Sequence, residues 1–221
     1  MPPADPPVLL LRTDGGPEIG GGHVMRCLAL AQAWREEGGR ALFTAATLAP
    51  ALRRRLADEG FDCLEIPAPR GGADDLSATI AAARANGVAA VVVDGYRFAP
   101  AYRQSLRDAG FKVAAVDDND EIGACVDDLV INQNCHASEA LYPDRAPYNR
   151  LLLGTDYALL RREFREWQGP PRQLPPVARH VLVTLGAADP DNVTARVIDG
   201  LAPVLPVGTE ATIVIGGSNP H

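Results

Sequence analysis

The sequence is poor in several features that would each point to a particular class of protein. Its 221 residues include a single lysine, Lys112, and the formal charge of −7 leaves no basic surface to neutralise a nucleic-acid backbone. No run approaches the ~18–20 apolar residues of a membrane-spanning helix, and no apolar signal-peptide segment is visible. The four cysteines are scattered, without zinc-site spacing. We therefore expect no nucleic-acid partner, no membrane partner and a reduced, cytoplasmic compartment.

What the sequence does contain is a regular alternation of short apolar runs and amphipathic stretches. With 47% hydrophobic and 22% charged residues, the chain can bury a sizeable core. The runs at 8–12 and 89–93 are continuously apolar, which is typical of parallel strands covered on both faces. The stretch 23–37 repeats apolar residues at helical spacing. This alternation predicts an α/β fold.

The same patterns predict fifteen elements along the chain. Strands are expected at 8–12, 41–44, 63–66, 89–93, 112–116, 128–131, 151–153, 180–185 and 211–215. Helices are expected at 23–37, 48–59, 74–84, 100–109, 157–167 and 192–201.

The chain divides into three parts at a proline-rich segment. Residues 1–167 predict an N-terminal Rossmann-like catalytic and sugar domain. Residues 168–179 include four prolines within nine positions, which is typical of a semi-rigid linker. Residues 180–221 supply about one βαβ unit, close to the lower size limit for independent folding. We therefore expect this last part to be the start of a C-terminal nucleotide-binding domain, either continued elsewhere or vestigial.

A glycine-rich turn follows the first predicted strand and leads into the first helix. Gly20 and Gly22 would let a ligand approach the backbone, and the free amides of a helix start favour an anion. The turn is not a Walker A loop, because no Gly-Lys-Ser/Thr follows it. Met25 stands where a dinucleotide-binding motif would have its third glycine, which disfavours a nicotinamide cofactor. No cofactor is expected.

His23 is the candidate for acid–base chemistry at this turn. The positive end of a helix dipole disfavours imidazolium, so a histidine there would stay neutral and could accept a proton. It could instead simply cap the helix or pack against the turn. Asp14 could contact a sugar hydroxyl or hold the turn, and Arg26 could pair with a phosphate or with an acid.

Three further clusters of polar residues follow later strands. Asp94 ends a buried strand, where it would more often hold a turn, and Tyr96 could line a pocket. Asp118 and Asp120 have the Asp-x-Asp spacing of a divalent-metal motif, but in a chain with 28 acidic residues a loop role is favoured and no metal site is predicted. Asn134 carries an amide suited to sugar hydroxyls or to a turn.

Two turns of the last segment have the character of a phosphate site. Gly186 and Asp189 lie between a strand and a helix, and Ser218 and Asn219 follow a strand. Both turns are expected to present free amides at the carboxyl edge of a sheet, as a diphosphate would require. Together with the glycine-rich turn they predict a ligand in a cleft between two domains.

Taken together, these residues resemble the nucleotide-sugar hydrolases of pseudaminic acid biosynthesis and the related spore-coat polysaccharide proteins. The resemblance extends from Leu9 to Asn219, nearly the whole chain. It is carried by Arg12-x-Asp14, Ile19-Gly-x-Gly-His23-x-x-Arg26, Asp94-x-Tyr96, Asp117-Asp118, Asn132-x-Asn134, Tyr157-Ala-Leu-Leu-Arg161-x-Glu163-Phe164, Gly186-x-x-Asp189 and Ser218-Asn219-Pro220.

The resemblance implies a fold of two Rossmann-like lobes, the GT-B type, with the second lobe incomplete in this chain. It implies metal-independent hydrolysis of UDP-2,4-diacetamido-2,4,6-trideoxy-β-L-altropyranose at the anomeric carbon with inversion. His23 would be the catalytic histidine, and Tyr96 would lie near the sugar. Asp14 and Asn134 would contact the sugar.

By the same resemblance, the turns at Gly186 and Ser218 would face the diphosphate. Two alternatives stay open beside the hydrolase. A GT-B glycosyltransferase would use an acceptor hydroxyl in place of water, and a non-catalytic module would only bind the sugar nucleotide. A nicotinamide-dependent oxidoreductase is the least favoured class.

Overall fold

The structure is a computed structural model and describes residues 6–118, 122–170, 173–186, 188–217 and 219–221. Within these residues the strands are β1 (Val8–Thr13), β2 (Arg40–Ala45), β3 (Cys63–Glu65), β4 (Val88–Asp94), β5 (Lys112–Val116), β6 (Leu129–Asn132), β7 (Arg150–Leu153), β8 (His180–Thr184) and β9 (Glu210–Val214). The α-helices are α1 (Gly22–Glu36), α2 (Pro50–Asp58), α3 (Ala73–Ala85), α4 (Pro100–Asp108) and α5 (Val193–Leu201). Three 3₁₀ turns cover Glu139–Leu141, Thr155–Tyr157 and Arg162–Trp167.

The first seven strands form one parallel sheet in the order β3-β2-β1-β4-β5-β6-β7. The chain builds outward from β1 to β3 and then returns to the other side of β1, so β1 and β4 are neighbours. Thr13 and Asp94, the last residues of these two strands, are paired in register. In an open α/β sheet the crevice at such a reversal of strand order is where ligands bind. β8 and β9 form a separate parallel pair.

Alternate residues of β1 face opposite sides of the sheet, and each side is covered by helices. Leu9 and Leu11 belong to a buried cluster with Val24 of α1. Leu10 lies in a second buried cluster with Val91 of β4 and residues of α3 and α4. Burial of both faces explains why these strands are apolar at every position. The α/β prediction is confirmed.

The helix predicted at 157–167 is wrong, because the chain there forms two short 3₁₀ turns joined by extended residues. Side chains from elsewhere accept hydrogen bonds from backbone amides of this stretch. Leu159 N–H donates to Gln133 Oε1 at 2.8 Å, and Arg162 N–H donates to Gln32 Oε1 at 3.0 Å. These tertiary hydrogen bonds outweigh the local helical pattern.

The segment 168–179 carries no helix or strand in the part that the structure describes. The division of the chain into domains at this segment stays a prediction. None of the helices in the described ranges combines the length and the apolar character needed to cross a bilayer.

Asp127 is a fully buried carboxylate in the segment that leads into β6. Arg103 of α4 places its Nε 3.1 Å from Asp127 Oδ1, and it also donates to the carbonyl oxygens of Ile122 and Ala124, each at 2.8 Å. Burial raises the pKa of Asp127 to about 6, against the lowering effect of Arg103. The native state therefore holds this proton more tightly than the unfolded chain does.

We expect this carboxylate to make the protein less stable as the pH rises. The protonated side chain contributes its full stabilisation of the native state below about pH 4. This stabilisation, up to about 3 kcal/mol, is lost as the pH rises from about 4 through about 6. The asparagine of Asp127→Asn does not titrate, so only the wild-type protein should lose this stabilisation between pH 4 and 7.5. The free energy of unfolding of the variant should therefore rise by that amount relative to the wild-type value over this pH range. Urea unfolding across this range measures the difference, and a constant difference would contradict the expectation.

Candidate active site

His23 and Asp94 meet at the point where the strand order reverses. His23 is the second residue of α1, which follows β1, and Asp94 is the last residue of β4. His23 Nδ1 lies 2.7 Å from Asp94 Oδ1. With Nδ1 donating to the carboxylate, Nε2 carries the lone pair, and it has no hydrogen-bond partner among the described residues. This is the arrangement of a histidine base oriented by an acid.

Arg26 lies one turn further along α1 and clamps the same carboxylate. Its Nε and Nη2 donate to the two oxygens of Asp94 at 2.6 and 2.5 Å, and its Nη1 donates to Asp118. Burial alone would raise the pKa of Asp94, but the hydrogen bonds from Arg26 and His23 outweigh it and hold that pKa below its ordinary value. Asp94 is therefore an anion behind the imidazole. Of the two roles expected for Arg26, the structure shows pairing with acids.

Tyr96 stands beside the imidazole on an exposed turn. Gly95 has φ +148°, a backbone region open mainly to glycine, and Tyr96 follows it with its side chain more than half exposed. The two rings meet edge to face, with centroids 4.8 Å apart. The Tyr96 hydroxyl lies 3.5 Å from Asp118 Oδ2. Tyr96 lines a cavity with His23, and its contact with a sugar stays a prediction.

The imidazole opens onto a cavity of about 340 Å³, which we call the His23 cavity. Its wall includes Asp14, Ile19, His23, Arg70, Tyr96 and Arg97. A second cavity of about 320 Å³ lies on the other side of the Tyr96 turn and is lined by Arg26 and Asp118. A third, of about 260 Å³, touches His23 and Gly22. His23 is therefore accessible to a small ligand although little of its surface is exposed.

The glycine-rich turn brings the start of α1 to these cavities. Gly16 and Gly20 exchange backbone hydrogen bonds of 3.0 and 2.7 Å, which close the turn, and Gly20 needs its φ of +78° to do so. A Cβ at Gly20 or Gly22 would meet no atom within 4 Å, so the space beside them is open. α1 begins at Gly22 without a side-chain cap. Its first amides are therefore open to an anion.

Asp14 lines the His23 cavity, but its carboxylate is already occupied. Oδ2 accepts from Arg12 Nη1 at 2.8 Å, and Oδ1 accepts the backbone N–H groups of Ala46 and Thr47, each at 2.8 Å. These bonds tie the end of β1 to the turn after β2. The structure thus gives Asp14 the turn-holding role, and its contact with a sugar stays a prediction.

Asn134 supports the site from outside the three cavities. Its Nδ2 donates to the carbonyl oxygen of Asp118 at 2.9 Å and to Asn132 Oδ1 at 3.0 Å. Of the Asp-x-Asp pair, Asp118 is bound by Arg26, while Asp120 lies outside the described residues. The predicted contact between Asn134 and a sugar therefore stays a prediction.

Side chains of the turn before α5 accept hydrogen bonds from the first amides of that helix. Asp189 has φ +40° and accepts the N–H groups of Val193 and Thr194 at 2.8 and 2.9 Å. Asn192 accepts the N–H of Ala195 through its side chain. These hydrogen bonds lower the pKa of Asp189, with the contact to Thr194 as the main cause. The first amides of α5 are thus capped by the protein itself.

The other predicted residues of this segment lie near the same turn and after β9. Gly186 has φ +82° and open space where a Cβ would be. Asn219 N–H donates to the carbonyl oxygen of Gly216 at 3.0 Å, and its side chain accepts from the His221 N–H. Ser218 lies outside the described residues. Diphosphate contacts at these positions stay a prediction.

The pairing of Asp94 with His23 is what sequence reasoning missed. Its position at the end of a buried strand was visible, but the fact that this strand is the neighbour of β1 was not. Arg70 and Arg97 both lie in the wall of the His23 cavity, but neither belongs to a motif that the sequence analysis recognised. A pattern of strand ends gives candidates for such a site, and the strand order decides which of them meet.

Comparisons with known proteins place this fold among the GT-B glycosyltransferases. No family model matches the sequence, and no curated protein matches it significantly. MurG of Acinetobacter baumannii superposes with a TM-score of 0.55 at 16% identity, covering 95% of this chain and 66% of its own. A glycosyltransferase from Rickettsia africae superposes with a TM-score of 0.57 at 13% identity, and the match covers 97% of this chain and 69% of that protein. The glycosyltransferase SnogD of Streptomyces nogalater superposes with a TM-score of 0.52 at 16% identity, and the match covers 95% of this chain and 66% of that protein.

The chain therefore has the α/β fold of GT-B glycosyltransferases. It spans about two thirds of the length of these solved structures. At these identities the likeness concerns the fold, and the chemistry has to be argued from the site itself.

Proposed function

We propose that the chain contains the catalytic half of an enzyme that uses a nucleotide sugar, with His23 as the general base. The observation that carries the proposal is the hydrogen bond of 2.7 Å between His23 Nδ1 and Asp94 Oδ1. With Nδ1 donating to Asp94, Nε2 would be the proton acceptor beside a cavity of sugar size. The fold class of the solved neighbours, whose names describe glycosyltransferases, supports a sugar nucleotide as the ligand.

The reaction would run as a displacement at the anomeric carbon. His23 Nε2 accepts the proton of an O–H nucleophile while its oxygen forms a bond to the anomeric carbon. The bond from that carbon to the diphosphate oxygen breaks, and the leaving diphosphate takes the electron pair. The imidazolium formed at His23 is stabilised by the anionic carboxylate of Asp94. The uncapped start of α1 can stabilise negative charge near the reacting centre.

Two identities of the nucleophile are supported by different observations. The solved neighbours favour an acceptor hydroxyl, which makes the enzyme a glycosyltransferase. The motifs around His23, Arg26 and Tyr96 favour water, which makes it a hydrolase of a UDP-linked diacetamido-trideoxyhexose. The fold neighbours give the transferase somewhat broader support.

An assay of nucleotide release separates these possibilities. UDP-, GDP- and CMP-sugars, including the UDP-diacetamido sugar, are incubated with the protein, with and without a mixture of sugar acceptors. Release that needs an acceptor supports the transferase, and release in water alone supports the hydrolase. Binding of a sugar nucleotide without release under either condition would contradict catalysis and leave a binding module.

Asp94→Asn is expected to lower kcat by up to about 10⁴-fold with little change in KM, the effect of replacing the acid behind a catalytic histidine by an amide. The amide keeps the shape but not the charge that stabilises the imidazolium. Steady-state kinetics across a pH series measures both constants, and thermal unfolding checks that the variant is folded. An unchanged kcat and pH profile in a folded variant would rule out a positioning role for Asp94.

A further inference from the structure

We propose that Arg70 and Arg97 form a subsite in the His23 cavity that binds an oxyanion, a carboxylate or a phosphate group. The proposal deepens the proposed function, because the anion would belong to the molecule that reacts at His23. Both arginines lie in the wall of the same cavity as the imidazole. Neither is needed to explain the proton transfer described above.

The two arginine-bearing segments are held against each other by a glycine. Gly71 has φ +71°, and a Cβ on it would lie only 2.1 Å from the carbonyl oxygen of Arg97. No other residue could therefore sit there without moving the Arg97 backbone. The close approach places the residue before Gly71, which is Arg70, next to the turn that carries Arg97.

A buried hydrogen-bond network holds the Gly71 side of this contact in place. The Gly71 N–H donates to Asp75 Oδ2 at 2.9 Å. Asp75 is fully buried and is bound by Arg12 through Nε at 3.0 Å and Nη2 at 2.5 Å. The hydroxyl of Tyr102 donates to Asp75 Oδ1 at 2.8 Å. The backbone under the two arginines is thus part of the rigid core, as a pre-organised subsite requires.

The charges of the cavity leave these two guanidinium groups available. Arg97 makes no ion pair or side-chain hydrogen bond with any described residue. Arg70 has only Glu18 at 3.9 Å, and that carboxylate is 89% exposed, so the pair is weak. The two buried carboxylates of the cavity, Asp14 and Asp94, are already bound by other arginines. Arg97 therefore has no counterion among the described residues, and Arg70 has only a weak one, Glu18, which also lines the cavity.

The chemistry of guanidinium selects the class of ligand. Its planar fork matches the two oxygens of a carboxylate or phosphate, and the resulting bonds are stronger than those to neutral groups. A neutral sugar hydroxyl needs no such pair of cations. We therefore assign to the cavity a reacting molecule with an acidic group, such as a uronate-type carboxylate or a phosphate ester, held a short distance from the nucleophile or the anomeric carbon.

Titration with inorganic phosphate and with acetate tests the subsite directly. The side-chain Nε–H signals of arginine are followed by NMR at constant ionic strength, in the wild-type protein and in Arg70→Gln, Arg97→Gln and the double variant. Arg84→Gln is the matched control, because Arg84 is an exposed arginine on α3 away from the cavity. We expect saturable shifts for at least one anion, about tenfold weaker binding in each single variant, and none in the double variant.

Two results would overturn the proposal. One is the absence of saturable binding by either anion, and the other is equal binding in the double variant and in Arg84→Gln. The tighter of the two anions identifies the acidic group. His23→Asn should retain the binding, so the subsite is tested separately from catalysis. If no nucleotide sugar is turned over but the anion still binds at these arginines, the proposed reaction fails and the subsite stands.

Discussion

His23→Asn is expected to lower the rate of nucleotide release from the sugar-nucleotide substrate about 10²- to 10⁴-fold, the range typical of a lost general base. Asparagine keeps a polar group beside Asp94 but cannot accept a proton at the position of Nε2. Substrate affinity should change little, because the nucleotide portion does not depend on the imidazole. Single-turnover release of the nucleotide together with equilibrium binding measures the two effects separately.

The matched control for this variant is His136→Asn, because His136 is an exposed histidine and lines none of the three cavities described around His23. It should leave the rate unchanged. Release by folded His23→Asn at the wild-type rate would remove the histidine from the mechanism. A lower rate that is fully restored by more substrate would show that His23 binds the substrate instead of reacting with it.

Arg12→Met is expected to lower the free energy of unfolding by about 3–5 kcal/mol, the cost of leaving a buried charge unpaired. Arg12 and Asp75 are both fully buried, and methionine fills part of the space without a positive charge. Burial raises the pKa of Asp75, but the hydrogen bonds from Arg12 outweigh it and hold that pKa below its ordinary value. The stabilisation is therefore present above about pH 4 and lost as the pH falls through the lower native pKa.

Chemical denaturation at pH 7 and at pH 3 tests this expectation. The difference between wild type and Arg12→Met should shrink at the lower pH. The double variant Arg12→Met/Asp75→Asn should recover part of the loss, because its buried carboxylate charge is gone, and Arg84→Met should cost little. A loss below 1 kcal/mol in the single variant, or a double variant less stable than the single one, would contradict the role given to this pair.

Much of the fold could be predicted from the sequence, because the strands of a sheet covered on both faces are apolar throughout. The strand expected at 112–116 is found at Lys112–Val116, and the helix expected at 23–37 is found at Gly22–Glu36. The stretch 157–167 has a helical pattern but forms 3₁₀ turns, since Gln32 and Gln133 bind amides there. Hydrogen bonds between residues this far apart in the sequence cannot be predicted from a local pattern.

The candidate site was predictable only in part. His23 was visible because glycines and a helix start surround it, and Tyr96 because it follows a strand end. The partners of His23 and Arg12 were not, since Asp94 and Asp75 lie 71 and 63 positions away. Those pairings depend on strand order and on how α3 packs, which a single sequence does not reveal.

Among the residues that the structure describes, the two fully buried positive charges, at Arg12 and Arg103, are both guanidinium groups. A buried ammonium group would give up its proton readily, whereas a guanidinium keeps it. The internal cations of this protein should therefore persist in alkaline solution. Lysine at either position would make the interior respond to base, even though the nominal charge at neutral pH would be the same.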